Sequence, residues 1–338
     1  MDLQILWFVL IAVFWSGYFV LEGFDFGVGM LLPFVPRDEE ERKTMLESIG
    51  PVWDGNEVWL VVAGAATFAA FPTWYATMFS GFYIALLLVL VFLIIRVVSF
   101  EWRGKHATPR WRSVWAWANT IGSTGAALVW GIGLSNLVYG VPINSSGDFA
   151  GSFWDLFSPY TVFAGIAVVL LFAFHGATFL SLRTTGGLHD RTVSASRRLS
   201  IPAVLAAAAF VIWTVAVGID NNDKSVFPPA VPAALAIVAL VLAVLFTFAG
   251  RSGRAFLMTA LGTIGAVATL FTSLYPRVMV SNPDFANSLT VTGASSSHYS
   301  LAVMTVVALL VTPIVLLYQG WTYYVFRRRL GSGAAPTA

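Results

Sequence analysis

Apolar residues run through this chain in nine long blocks separated by short polar segments: Leu6–Leu32, Val52–Phe71, Phe79–Ser99, Trp111–Ser135, Tyr160–Leu182, Ile201–Ile219, Pro229–Ala249, Phe256–Leu274 and Tyr299–Phe326. Each approaches or exceeds the ~20 residues that carry a helix across a ~30 Å hydrocarbon layer. A soluble core would show shorter runs, and a membrane barrel would show alternating segments of about ten residues. The pattern predicts an all-α polytopic membrane protein of nine transmembrane helices. Between the first two blocks, Arg37–Ser48 reads as a short surface helix, with Met45, Leu46 and Ile49 turned to the membrane. Asn136–Pro159 and Tyr275–His298 are rich in Ser, Asn, Gly and Pro and read as loops. Gly122, Gly125, Ala126 and Gly131 in the fourth block, and Gly262 and Gly265 in the eighth, have the spacing of closely packed helices. Residues 1–330 read as one integral membrane domain, and 331–338 as a disordered tail.

Composition agrees. Of 338 residues, 58% are hydrophobic and 11% charged, against about 25% charged in soluble domains. The amino terminus, Met-Asp-Leu-Gln, lacks the basic region of a signal peptide, so the first block is expected to be retained. There are no cysteines, which excludes disulfides, Cys-ligated iron–sulfur clusters, Cys-held zinc and Cys-linked haem. The net charge of +2 says little, but its distribution sets an orientation. With the amino terminus outside and the carboxyl terminus inside, every Lys and Arg except Lys224 and Arg277 falls on the inner side, as the positive-inside rule requires.

Against this background the acids stand out. Trp53-Asp54-Gly55-Asn56-Glu57-Val58-Trp59 puts two carboxyls at the inner mouth of the second block, and Glu22 and Asp25 lie in the first. An ionisable group within a bilayer costs ~2.5–3.5 kcal/mol on insertion scales and marks a functional site by default. Asp54 and Glu57, three apart, share a helix face. Asp25 lies ~12 Å and Glu57 ~8 Å from the inner ends of consecutive antiparallel helices, so the two reach similar depths. Glu22 is one turn deeper. From the inner surface the order is Asp54, Glu57 and Asp25, then Glu22: a ladder of carboxyls fit to pass protons. The competing account is structural. Asp54 sits at a helix N-terminus, where the dipole favours an acid, and the others could pair with Arg96 or a neighbouring subunit.

His175 is the one histidine deep within a block, readable as a hydrogen-bonded packing residue or as a proton relay. Asn119 and Arg96 lie in the inner half and could complete a polar cluster with the acids. Trp53 and Trp59 could wall the acids off, while Trp74, Trp102 and Trp321 fit an interfacial aromatic belt. A di-metal site in a bundle would use Glu-x-x-His pairs, and the sequence has none. A haem needs axial His or Met. His106 and His189 are in inner loops, and His175 has no histidine at its depth. That leaves one arrangement at the outer edge, His298 with Met78, Met279 or Met304. No metal ligand set is assigned.

Several motifs resemble subunit II of the bacterial cytochrome bd-type quinol oxidases. They are Gly23-Phe24-Asp25-Phe26-Gly27-Val28-Gly29-Met30, Trp53-Asp54-Gly55-Asn56-Glu57-Val58-Trp59-Leu60, Phe79-Ser80-Gly81-Phe82-Tyr83, Gly140-Val141-Pro142, Gly176-Ala177-Thr178, and Asn287-Ser288-Leu289-Thr290 with Ala294-Ser295-Ser296-Ser297. They follow the family's order from the first block to the ninth. The resemblance implies two four-helix bundles plus one peripheral helix, in the bacterial inner membrane. It implies a tight heterodimer with subunit I, which carries two haems b and one haem d, with small single-helix accessory subunits as further partners. The complex oxidises quinol and reduces dioxygen to water. Subunit II is expected to contribute assembly, a quinone or lipid site and part of the proton route. By motif position Asp54 becomes the entry acid on the cytoplasmic side, and Asp25 and Glu22 interior acids near the subunit interface. The His175 position is often Gln in relatives, which weakens an essential role for it. Sixteen Arg against three Lys suggest a GC-rich bacterial source, where menaquinol rather than ubiquinol is the expected donor.

The expected function is that of a haem-free oxidase subunit delivering cytoplasmic protons to haems in its partner. A stand-alone proton-coupled transporter is one rival, although paired broken helices in two repeats are not evident. A purely structural subunit whose acids only form ion pairs is the other.

Overall fold

The computed structural model describes residues 2–222 and 224–331; apart from Gly331, the expected tail lies outside the described residues. The helices are α1 (Leu3–Leu31), α2 (Glu39–Ile49), α3 (Trp53–Ala70), α4 (Pro72–Gly81), α5 (Tyr83–Trp102), α6 (Pro109–Tyr139), α7 (Pro159–Arg183), α8 (Gly186–Asn222), α9 (Ala230–Phe248), α10 (Ser252–Leu274), the single turn α11 (Val291–Ala294) and α12 (His298–Val325). Eight of them, all except α2, α3, α4 and α11, are long and apolar enough to cross a membrane. The expected second block forms the 18-residue α3, whose first two turns carry Asp54 and Glu57, so that it lacks the 18-residue apolar stretch that each of the eight contains. It stops at Phe71 because Pro72 follows: a residue before proline is driven out of the helical region, and Phe71 has φ −134° and ψ 68°.

α1 lies at the centre, packed on α3, α6, α7 and α10. α5 packs on α6, and α7 to α10 pack on one another in turn. The closest approach is between α1 and α7. A Cβ on Gly27 would sit 2.8 Å from Gly176 Cα, and one on Gly176 2.6 Å from Gly27 Cα. The small residues expected to permit close packing do so. A Cβ on Gly131 would meet Gly165 Cα at 2.7 Å, and one on Gly265 would meet the Ala236 side chain at the same distance. α12 is peripheral: Leu301 is its one buried residue.

Two expectations need correction. Met45 and Ile49 do not turn to the membrane; both are fully buried, packed with Leu32, Val35, Ala177 and Leu188. Ion pairs hold α2 down on both sides. Glu41 pairs with Arg191, whose Nε donates to the Val35 carbonyl at 3.0 Å, and Glu39 meets Arg103 at 2.5 Å. The second correction concerns α8, which starts fifteen residues before the expected Ile201 and continues through Pro202. Its early buried face is Leu188, Thr192, Ser196 and Ser200, spaced one turn apart. The helical period is there, but it is written in hydroxyls, so an apolarity criterion passes over it.

The two segments expected to be outer loops are ordered and pair with each other. Strand β1 (Arg277–Met279) pairs antiparallel with β2 (Leu289–Thr290), and Val141 bridges to Ser281. Gly140 ends α6 with φ +94°, a conformation that only glycine adopts freely. Ser296 donates through its amide to the Ala70 carbonyl (2.8 Å) and through its hydroxyl to that of Ala69 (2.6 Å), satisfying the end of α3.

Candidate functional site

The inner half of α1 has no exposed face. From Glu22 to Leu32 every residue is buried, because α1 is surrounded on all sides. Glu22 and Asp25 are therefore held away from lipid, both at 0% exposure. Arg96, from α5, is also at 0% exposure and forms an ion pair with Glu22 through Nη1. Its guanidinium lies 5.0 Å from the ring centre of Phe26 and 5.3 Å from that of Phe100. Arg96 acts electrostatically on Glu22, Asp25 and Glu57 together. One fully buried cation thus sits with two fully buried carboxyls, Glu22 and Asp25. Buried charge is tolerated only where it is paired and hydrogen-bonded, and here the pairing is incomplete. Arg96 Nε and Nη2, Glu22 Oε2 and Asp25 Oδ1 lack partners among the described residues. Such orphaned polar groups in a confined space are what buried water satisfies.

Asp25 Oδ2 accepts from Asn56 Nδ2 at 2.7 Å. Asn56 was quoted in the sequence motif without a role, yet it is fully buried and joins α1, α3 and α12. Its Oδ1 accepts from Gln319 Nε2 at 2.9 Å and from the Tyr323 hydroxyl at 2.7 Å. The signal for Gln319 was an amide at the end of an otherwise apolar helix, a polar contact sought across helices in lipid.

The remaining expected residues divide. Asn119 joins the cluster's edge, donating to Ser99 Oγ at 2.8 Å, while Ser99 donates to the Arg96 carbonyl at 2.5 Å. Glu57 is half-buried and Asp54 exposed, at the open face of α3. Trp59 is buried against α1, where a Cβ on Gly17 would meet its ring at 2.9 Å. Trp53 packs on Phe100 with ring centres 5.2 Å apart and lines a ≈720 Å³ recess with Glu39, Lys43, Glu47, Glu101 and Arg103. His175 is placed elsewhere. Its Nε2 bonds the Val20 carbonyl at 3.1 Å, its Nδ1 the Thr259 hydroxyl at 2.7 Å, and its ring lies flat on Phe256 at 4.7 Å. A carbonyl can only accept, so Nε2 carries a proton. Both ring nitrogens of His175 are thus engaged.

Among the described residues no group of three or more His, Cys, Asp and Glu side chains could hold a metal ion. His298 is exposed, whereas Met78 and Met279 are buried in the core. A second cavity, an apolar groove of ≈750 Å³, runs between α3, α4 and α5, with Phe68, Tyr75, Phe79 and Leu90 on its walls and Trp15 and Trp130 at its back.

The fold and site define a class: a multi-pass helical membrane protein with two carboxyls, Glu22 and Asp25, and one guanidinium, Arg96, buried inside its central packing. The family model for cytochrome bd terminal oxidase subunit II matches residues 3–326, and the chain belongs to that family. It is 41% identical to cytochrome bd ubiquinol oxidase subunit 2 of Bacillus subtilis (strain 168), across 97% of each chain. It is 36% identical to cytochrome bd-I ubiquinol oxidase subunit 2 of Escherichia coli (strain K12), across 95% of this chain and 93% of that one. The fold matches a chain in the structure of bd oxidase from Geobacillus thermodenitrificans with a TM-score of 0.74, covering 96% of this chain and 97% of that one; at 18% identity this likeness speaks to fold alone.

Proposed function

We propose that this chain is the haem-free subunit II of a bd-type quinol:oxygen oxidase in a bacterial inner membrane, bound to a subunit I that carries two haems b and haem d. Its own part in the chemistry is to move protons. Asp54, exposed at the end of α3, takes them from the cytoplasmic side. Glu57, half-buried, passes them to Asp25 and the Glu22–Arg96 pair, and from there they cross to the oxygen-reducing haems of the partner. The observation that carries this reading is the fully buried Glu22–Arg96 pair with a second fully buried carboxyl, Asp25, three residues on along the same helix. The charge of such a cluster depends on how many protons it holds, which makes it a proton store by composition. Because protons enter from inside while quinol protons leave outside, turnover would build a potential without pumping.

The same reading takes residues 1–330 as one membrane domain of nine helices, amino terminus out and carboxyl terminus in. α1, α3, α5 and α6 form one bundle, α7 to α10 the second, and α12 stands apart. The haems belong to the partner: His175, the best-placed histidine, has both ring nitrogens engaged. The apolar groove fits the isoprenoid tail of a menaquinone or ubiquinone, or a lipid chain.

Mild-detergent purification with haem and turnover assays tests the whole. A haem-bearing partner should co-purify with quinol oxidase activity; its absence sinks the reading. Asp54→Asn and Glu57→Gln should each slow oxygen reduction about tenfold or more with haem content intact. The Glu22–Arg96 ion pair favours a second reading, in which the acids are structural. Normal turnover in both variants would establish that one.

A further inference from the structure

Asn56 uses its entire hydrogen-bonding capacity. Nδ2 donates to Asp25 Oδ2 at 2.7 Å and to the Leu21 carbonyl at 3.3 Å, while Oδ1 accepts from Gln319 and Tyr323. An amide side chain offers two donors and two acceptor positions, so the set is complete. Its direction follows from chemistry. The Leu21 carbonyl can only accept, so the amide nitrogen faces α1 and the oxygen faces α12. α12 touches the body sparingly, and its ties are at its two ends. Trp7 Nε1 donates to the Leu301 carbonyl at 3.2 Å and to Thr305 Oγ1 at 3.0 Å, and Gln319 and Tyr323 converge on one atom of Asn56 at the other end.

We propose that Tyr323, assisted by Gln319, is a positioning residue for Asp25: it locks the Asn56 amide so that Nδ2 holds Asp25 Oδ2 and leaves Asp25 Oδ1 free to exchange a proton. Asp25 Oδ1 has no partner among the described residues, as a proton-exchanging oxygen requires. The peripheral helix thereby sets the geometry of an acid on the central one. In place of Asn56, aspartate would lose both donors and set a second carboxyl against Asp25, and leucine would sever both sides. The inference rests on the proton route proposed above.

The test uses the whole oxidase complex. Oxygen consumption at varied quinol gives kcat and KM, and redox-induced infrared difference spectra report carboxyl C=O bands, the Asp25 band being the one that Asp25→Asn abolishes. Tyr323→Phe should lower kcat about five- to tenfold, the worth of one buried hydrogen bond. The KM for quinol and haem content should not change, and the Asp25 band should shift. Tyr323→Phe combined with Asp25→Asn should be no slower than Asp25→Asn alone. An unshifted band and full kcat in Tyr323→Phe, with Asp25→Asn slow, overturn the positioning role and leave the route standing. Full turnover in Asp25→Asn overturns the route itself. If Tyr323→Phe fails to assemble, Gln319→Leu carries the same test with an effect of about twofold.

Discussion

Arg96 is the residue on which the acid cluster balances. It is fully buried, paired to Glu22, and in electrostatic reach of Asp25 and Glu57. Removing one member of a buried pair strands the other charge and costs about 3–5 kcal/mol, whereas replacing both with apolar groups of similar volume is often neutral. Arg96→Leu alone should therefore cut the yield and thermal stability of the detergent-solubilised complex sharply. Glu22→Leu combined with Arg96→Met should recover most of that stability and still turn over slowly. A double variant as active as wild type would mean that the pair is architecture only. Arg96 was visible in the sequence as a cation at the end of an apolar block and a candidate partner for the acids, but which acid it met was not. Ion pairs between helices 74 positions apart leave no mark in local pattern, and Glu22 could as readily have met a neighbouring subunit.

At the scale of elements, the recognisable motifs separate into chemistry and carpentry. Gly27 and Gly176 belong to two motifs far apart in sequence, and they are the two sides of one crossing between α1 and α7. Asn287, Ser288 and Ser296 brace the outer loops, through Asn287 to the Ile143 carbonyl at 2.9 Å, Ser288 to the Ser281 amide at 2.9 Å, and Ser296 to the end of α3. Only the acid-bearing motifs remain for proton transfer. A methyl group at the crossing has nowhere to go, since its neighbours are backbone atoms, and overpacking of this kind costs about 1–3 kcal/mol or more. Gly176→Ala should lower the melting temperature of the complex. Gly133→Ala, on α6 with open space where its Cβ would lie, should be neutral. Equal effects of the two would remove the crossing from the account. The helices themselves were legible because lipid demands long apolar runs. The start of α8 and the burial of α2 were not, because protein partners replace lipid there and Ser, Thr and salt bridges serve in place of apolar side chains.

For the whole molecule, function depends on which face is wet. Apolar residues exposed on α9 and α12, such as Leu235, Val238, Leu309 and Leu317, suit lipid. Asp54 does not, and it shares the open side of α3 with Val58 and Val61. That side must meet water or a protein partner, because a carboxyl facing hydrocarbon is expensive at any orientation of the chain. Whether Asp54 meets the cytoplasm depends on topology. The positive-inside count fixes that expectation, since Lys224 and Arg277 alone fall on the outer side. The absence of cysteine makes the question directly measurable. Ser146→Cys places a single thiol in the exposed outer loop, and Gly104→Cys places one between α5 and α6, in open space. In intact cells a membrane-impermeant maleimide should label the first and spare the second until the membrane is permeabilised. The opposite pattern would put Asp54 at the outer surface. The ladder of acids would then draw protons from the side to which quinol oxidation releases them, and it could no longer contribute to a membrane potential.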